Sequence, residues 1–94
     1  MRFWKMLKIR PSNRFKRDLK LLAKRGLDLS LLDDAVSKLA DRQPLETKKD
    51  HALTEDYVGF RECRIQPDWL LIYRIDDDEL FLFLSRTGSH SVLF

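Results

Sequence analysis

Apolar positions recur along this chain with two different periods, and the change of period divides it. In the first part they fall at Phe15, Leu19 and Leu22, the i, i+4, i+7 spacing of one helix face. Ser12 or Asn13 can cap that helix, which runs to about Arg25 and is closed by Gly26. Asp28 or Ser30 opens a second helix, with Asp33 three residues after Ser30 in an imperfect capping box. Leu32, Ala35, Val36 and Leu39 form its stripe, and Pro44 lies beyond its end. So short a connection predicts an antiparallel helical hairpin. Ahead of both helices, residues 5–10 alternate loosely and read as a short first strand ending at Pro11.

From Val58 onward the period shortens to two. Residues 58–65 read as a strand of mixed polarity, turned by Gln66, Pro67 and Asp68. Residues 69–75 are apolar on both faces, as a central strand requires. Asp76, Asp77 and Asp78 make the next turn, and residues 79–85 form the following strand. Strands this close in sequence pair as an antiparallel meander. The expected fold is α+β: an N-terminal helical hairpin packed on one face of a small, mainly antiparallel β-sheet, with one domain spanning residues 1–94.

Composition narrows the classes. Ninety-four residues, 44% apolar and 35% charged, suit one globular core. No apolar run reaches bilayer length, and the first ten residues carry Arg2, Lys5, Lys8 and Arg10, unlike a signal peptide. No membrane association is expected. Cys63 is the only cysteine, which rules out an internal disulfide, fits a reducing cytoplasm and suits a small core residue. One Cys and two His argue against structural zinc, and no cofactor is called for.

Charge changes the picture more. Residues 1–49 hold 14 Lys and Arg against 6 Asp and Glu; residues 50–94 hold 4 against 9. Ten of the basic groups lie in the first 25 residues, with Asp18 the single acid among them. Arg14, Arg17, Lys20 and Lys24 fall off the apolar face of the first helix and form an outward basic stripe. Such a stripe is the footprint of a phosphate-backbone partner, and equally the ordinary dress of a solvated helix face.

The chemistry gathers late. Gly26, Gly59 and Gly88 are isolated, so there is no phosphate-cradling loop. His51, Asp68 and His90 are titratable, and Arg64 and Arg86 are fixed cations. RNA cleavage by its own 2′-hydroxyl asks for that set: a base for the 2′-OH proton, an acid for the departing 5′-oxygen, and cations for the charge on phosphorus. Each residue also has a plain reading: His51 as an idle loop histidine, Asp68 as a turn residue, Arg86 as a strand-end cation, His90 as part of a tail. Trp69 and Phe94 offer stacking surfaces for bases, while Trp69 at the head of an apolar strand suits the core equally.

Several blocks occur in order: Lys49-Asp50-His51, Gly59-Phe60-Arg61-Glu62, Pro67-Asp68-Trp69-Leu70-Leu71-Ile72-Tyr73, and Arg86-Thr87-Gly88-Ser89-His90 closing on Leu93-Phe94. Together they resemble the YafQ group of the RelE superfamily, toxins of bacterial type II toxin–antitoxin modules. The resemblance implies a RelE-like fold and a ribosome-dependent mRNA endonuclease, held inactive by a cognate acidic antitoxin, with ribosome and mRNA as its other partners. It implies an active site of His51, Asp68, Arg86, His90 and Phe94, with Trp69 adjoining and Lys48 and Lys49 adding RNA contacts. By analogy His90 is the general acid, His51 or Asp68 the base, Arg86 the contact to the scissile phosphate, and Phe94 a surface against a codon base. One position departs: Arg64 stands where the family often has histidine, and arginine binds phosphate but stays protonated. A gyrase-poisoning ParE-type toxin on the same fold, lacking RNA-cleaving residues, and a non-catalytic RNA- or ribosome-binding module are the alternatives.

Overall fold

A computed structural model describes residues 6–43, 50–53 and 57–94. The elements run β1 (Lys8–Pro11), α1 (Asn13–Lys24), α2 (Leu29–Ala40), β2 (Asp50–Ala52), β3 (Arg61–Gln66), β4 (Trp69–Asp76), β5 (Phe81–Gly88) and α3 (His90–Leu93). The five strands form one sheet in the order β1-β5-β4-β3-β2. β1 pairs with β5 in parallel, and every other pair is antiparallel. The expected α+β architecture is present, with β1 added to the meander from outside it.

The helices begin where side chains can satisfy their free amides. Ser12 caps α1, accepting the Phe15 N–H at 2.9 Å. Gly26, at φ 76°, makes the left-handed turn that ends it. Asp28, not Ser30, caps α2: its carboxylate accepts the Ser30 N–H at 3.0 Å and the Ser30 hydroxyl at 2.6 Å. The Ser30–Asp33 capping box therefore does not form, because Ser30 is itself the capped residue. Pro44, expected beyond the end of α2, lies outside the described residues.

One core lies between the hairpin and the sheet. Phe15, Leu22, Leu32, Ala35, Val36 and Leu39 pack against Trp69, Leu71, Tyr73, Leu82 and Leu84. Alternation along β4 sends Leu70 and Ile72 to the opposite face, where they join Leu93 of α3, with Leu53, Tyr57 and Phe60 packed against them. Among the described residues, the hairpin covers one side of the sheet, and α3 with Leu53, Tyr57 and Phe60 covers part of the other.

Several strand boundaries differ from expectation. β1 begins at Lys8; residue 5 is outside the described region. The strand expected over 58–65 starts at Arg61, because Val58 and Gly59 form a turn with Gly59 at φ 93°. The last strand begins at Phe81 rather than 79. Asp76 accepts the N–H groups of Asp78 and Glu79 at 3.0 Å each, and Leu80 takes φ 61°, so the turn lasts longer. That strand then continues past Ser85 to Gly88 and carries Arg86 and Thr87 into the sheet.

Candidate functional site

A bulge in β5 sets the site. Tyr73 pairs with Leu84 but Ile72 pairs with Arg86, so Ser85 is skipped. One extra residue reverses the facing of all that follow. Without it Arg86 would point with Leu84 toward the hairpin; with it Arg86 stands in register with Ile72 on the open side. The same register runs on to Glu62 of β3 and His51 of β2. A single row, His51–Glu62–Ile72–Arg86, crosses four strands. At about 4.8 Å per strand, its ends lie roughly 14 Å apart along the backbone. The next row places Arg64, exposed, in register with Leu70 and Gly88.

Where β1 stops, the outer edge of β5 would be left unpaired, and the start of α1 closes it. The Ser12 N–H donates to the Leu84 carbonyl at 2.9 Å, and the Ser12 hydroxyl to the Ser85 carbonyl at 2.7 Å. The Thr87 N–H donates to Asp18 Oδ2 at 3.1 Å. That Asp18 carboxylate also accepts Arg86 Nε at 2.9 Å and Nη2 at 3.2 Å. The two side chains are only 8% and 16% exposed, and the Asp18 bond raises the Arg86 pKa further above its ordinary value. Arg86 is therefore held by two of its nitrogens, and among the described residues Nη1 is left for another acceptor.

The β3–β4 turn meets the start of α3. Asp68, exposed in that turn, accepts the His90 N–H at 3.2 Å. His90 is exposed, with its ring 5.1 Å from that of Phe94. Phe94, 50% exposed, stands edge-on to Tyr57 at 5.4 Å. Beside this corner a cavity of about 320 Å³ is lined by Arg25, Leu27, Pro67, Asp68 and Ser89, so the basic end of α1 reaches its rim. Arg14, Arg17, Lys20 and Lys24 are all exposed, as expected of the stripe.

The candidates therefore sort by place. Asp68, His90 and Phe94 form one corner; Arg86, Arg64 and His51 take register positions on the same sheet. Lys48 and Lys49 lie outside the described residues. Trp69 needs correcting as a stacking surface for RNA. Its ring is 3% exposed, and its Nε1–H donates to Thr87 Oγ1 at 2.9 Å, which in turn donates to the Leu70 carbonyl. It is a core residue whose one polar atom is satisfied internally. Two residues went unread in the sequence. Asp18 looked like one acid in a basic helix, yet three residues after Phe15 and four before Leu22 it lies on the buried face. Glu62, 8% exposed, sits in the row between His51 and Ile72. Among the described residues, no three His, Cys, Asp or Glu side chains come together as a metal site.

Relatives match this chain over nearly its full length. A sequence profile described as the bacterial toxin of type II toxin–antitoxin systems, YafQ, matches residues 7–94. The mRNA interferase toxin YafQ of Escherichia coli is 38% identical over 88 residues, covering 92% of this chain and 94% of its own. A metal-bound toxin from Helicobacter pylori superposes with a TM-score of 0.90 at 51% identity, covering 95% of this chain and all of its own. The E. coli DinJ–YafQ toxin–antitoxin complex gives 0.85 at 35% identity, covering 95% and 98%. With the profile spanning both helices, all five strands and the His90–Phe94 corner, the chain belongs to the YafQ family of bacterial type II toxin–antitoxin toxins.

Proposed function

We propose that the chain, as one toxin domain, is a ribosome-dependent mRNA endonuclease that cuts through the RNA's own 2′-hydroxyl. The observation that supports the reading is the corner where Asp68 accepts the N–H of exposed His90 and the His90 ring lies against exposed Phe94. In-line displacement needs base and acid on opposite sides of phosphorus. His90 and Asp68 share one corner, so they do not supply both. With His90 as the acid, His51 is the base that takes the 2′-OH proton. The 2′-oxygen bonds to phosphorus, the bond from phosphorus to the 5′-oxygen breaks, and His90 gives that oxygen its proton. Arg86 faces the equatorial oxygens with the edge that Asp18 leaves open. Phe94 stacks on a codon base, and Asp68 holds the start of α3, and with it His90, in place.

Arg64 binds phosphate without moving a proton. The Helicobacter relative is described as metal-bound. Among the described residues here, no three His, Cys, Asp or Glu donors converge as a metal site. The toxin works in the bacterial cytoplasm on translating ribosomes, held inactive by an antitoxin as E. coli YafQ is complexed with DinJ. Purified ribosomes programmed with a defined mRNA test the proposal. Cleavage that requires the ribosome, leaves 2′,3′-cyclic phosphate and 5′-hydroxyl ends, and stops on adding antitoxin is expected. Fragments with 3′-hydroxyl and 5′-phosphate ends would contradict the mechanism, and ribosome binding without cleavage would leave a non-catalytic module.

A further inference from the structure

We propose that the open half of this same sheet face is a second RNA-contacting site, which holds the unpaired mRNA strand next to the scissile phosphate; this rests on the nuclease reading above. One step along the sheet from the Arg86 row lies another, Arg10–Phe83–Arg74, drawn from β1, β5 and β4. The Arg74 guanidinium lies 4.5 Å from the centre of the Phe83 ring and 5.9 Å from that of Phe60, and the Arg10 guanidinium 3.7 Å from that of Phe81. Phe81 and Phe83 meet edge-on at 5.9 Å. Arg10, Arg74, Phe60 and Phe83 line a cavity of about 370 Å³ that extends to Ser85, the bulge residue beside Arg86. A strand leaving the scissile phosphate along the face would enter it directly.

The chemistry of the cavity suits single-stranded RNA. Arg61 on the neighbouring strand is paired with Asp50. Arg10 and Arg74 have no carboxylate partner among the described residues, although each is fixed by an aromatic ring. Asp76, the acid in register with Phe81, turns its carboxylate to the amides of its own turn. A guanidinium held flat over a ring keeps its N–H edges for phosphate, and alternating rings and guanidinium planes offer bases sequence-tolerant stacking. The volume falls in the range of sites that enclose a small ligand. A helical protein partner finds a better fit elsewhere, in the more apolar groove of Ile9, Phe15, Leu19, Leu29 and Leu32 on the hairpin side.

Single-stranded 2′-O-methyl RNAs of three and eight nucleotides, which cannot be cut, provide the test when titrated against the free toxin. Wild type is expected to bind the longer one about ten-fold more tightly. Arg10→Gln with Arg74→Gln should remove that gain. It should also flatten the salt dependence of binding by about 1.4 in log–log slope, at roughly 0.7 per phosphate. Phe83→Leu should weaken binding and leave the slope unchanged, with thermal melting verifying that each variant folds. Equal affinity of the double variant and wild type, no length gain in wild type, or a loss confined to antitoxin binding would overturn the proposal. A wild type that binds by length yet cuts no mRNA on ribosomes would refute the nuclease reading and leave this site standing.

Discussion

Asp18 is the lone acid among ten basic residues at the start of the chain, and it is buried against the one arginine the site most needs. A carboxylate taken out of water needs its partner, and breaking such a pair from one side costs on the order of 3 kcal/mol. Asp18→Asn should lower the melting temperature and slow cleavage together, because Arg86 loses the contact that orients it. Arg86→Lys keeps the charge but not the two-pronged grip. It should cost about a hundred-fold in single-turnover cleavage, the scale of removing one preorganised donor from a reacting phosphate. Full activity in both variants would show that Arg86 acts only as a strand-end cation. The apolar residues at this scale were legible: Phe15, Leu22, Leu32, Ala35, Val36 and Leu39 are buried where periodicity puts them. Asp18 was not, because its partner Arg86 is distant in sequence, and nothing in the local pattern marks Glu62 as buried.

The elements that carry the site are its shortest. β2 has three residues and α3 has four, too few for a period to register, whereas α1, α2, β4 and β5 run eight to twelve residues and were readable. The bulge at Ser85 leaves no trace in hydrophobic patterning, and the parallel pairing of β1 with β5 joins strands from opposite ends of the chain. Because α3 is so short, the Asp68 bond to its first amide holds it. Asp68→Ala should therefore slow cleavage about a hundred-fold while Asp68→Asn, which keeps an acceptor, stays within about ten-fold of wild type, on the scale of lost positioning. Equal losses in the two would instead make Asp68 a proton carrier.

β2 is tied down by Tyr73, whose hydroxyl donates to Asp50 at 2.8 Å, and by Arg61, whose Nε donates to the same oxygen at 3.1 Å. Burial, then the Asp50 bond, push the Tyr73 pKa above its ordinary value of about 10. A raised folded pKa means stability that is complete below about pH 10 and lost as pH climbs beyond it. Tyr73→Phe should cost about 1 kcal/mol at neutral pH and flatten the alkaline fall in stability. An alkaline profile identical to wild type would place that sensitivity elsewhere.

Across the whole molecule, charge and chemistry lie on different surfaces. The basic stripe runs along α1 on the hairpin side, and the Asp68–His90–Phe94 corner lies at the end of the sheet, where Arg25 borders Asp68. On the proposed reading, one surface grips ribosomal RNA and the other cuts mRNA. Reversing the charge of Arg14, Arg17, Lys20 and Lys24 should weaken ribosome binding and flatten its salt dependence, while leaving the cleavage step itself unchanged once bound. Salt-insensitive binding would leave the stripe a solvated helix face.

The claim that this face is an RNA-cleaving site rests most heavily on His90, whose exposed ring contributes little to packing. The direct measurement is single-turnover mRNA cleavage on saturating ribosomes by wild type and His90→Gln, each with its melting curve. A loss of about a hundred-fold or more with unchanged melting is expected, the scale of a missing general acid. Equal rates in the two proteins would contradict it.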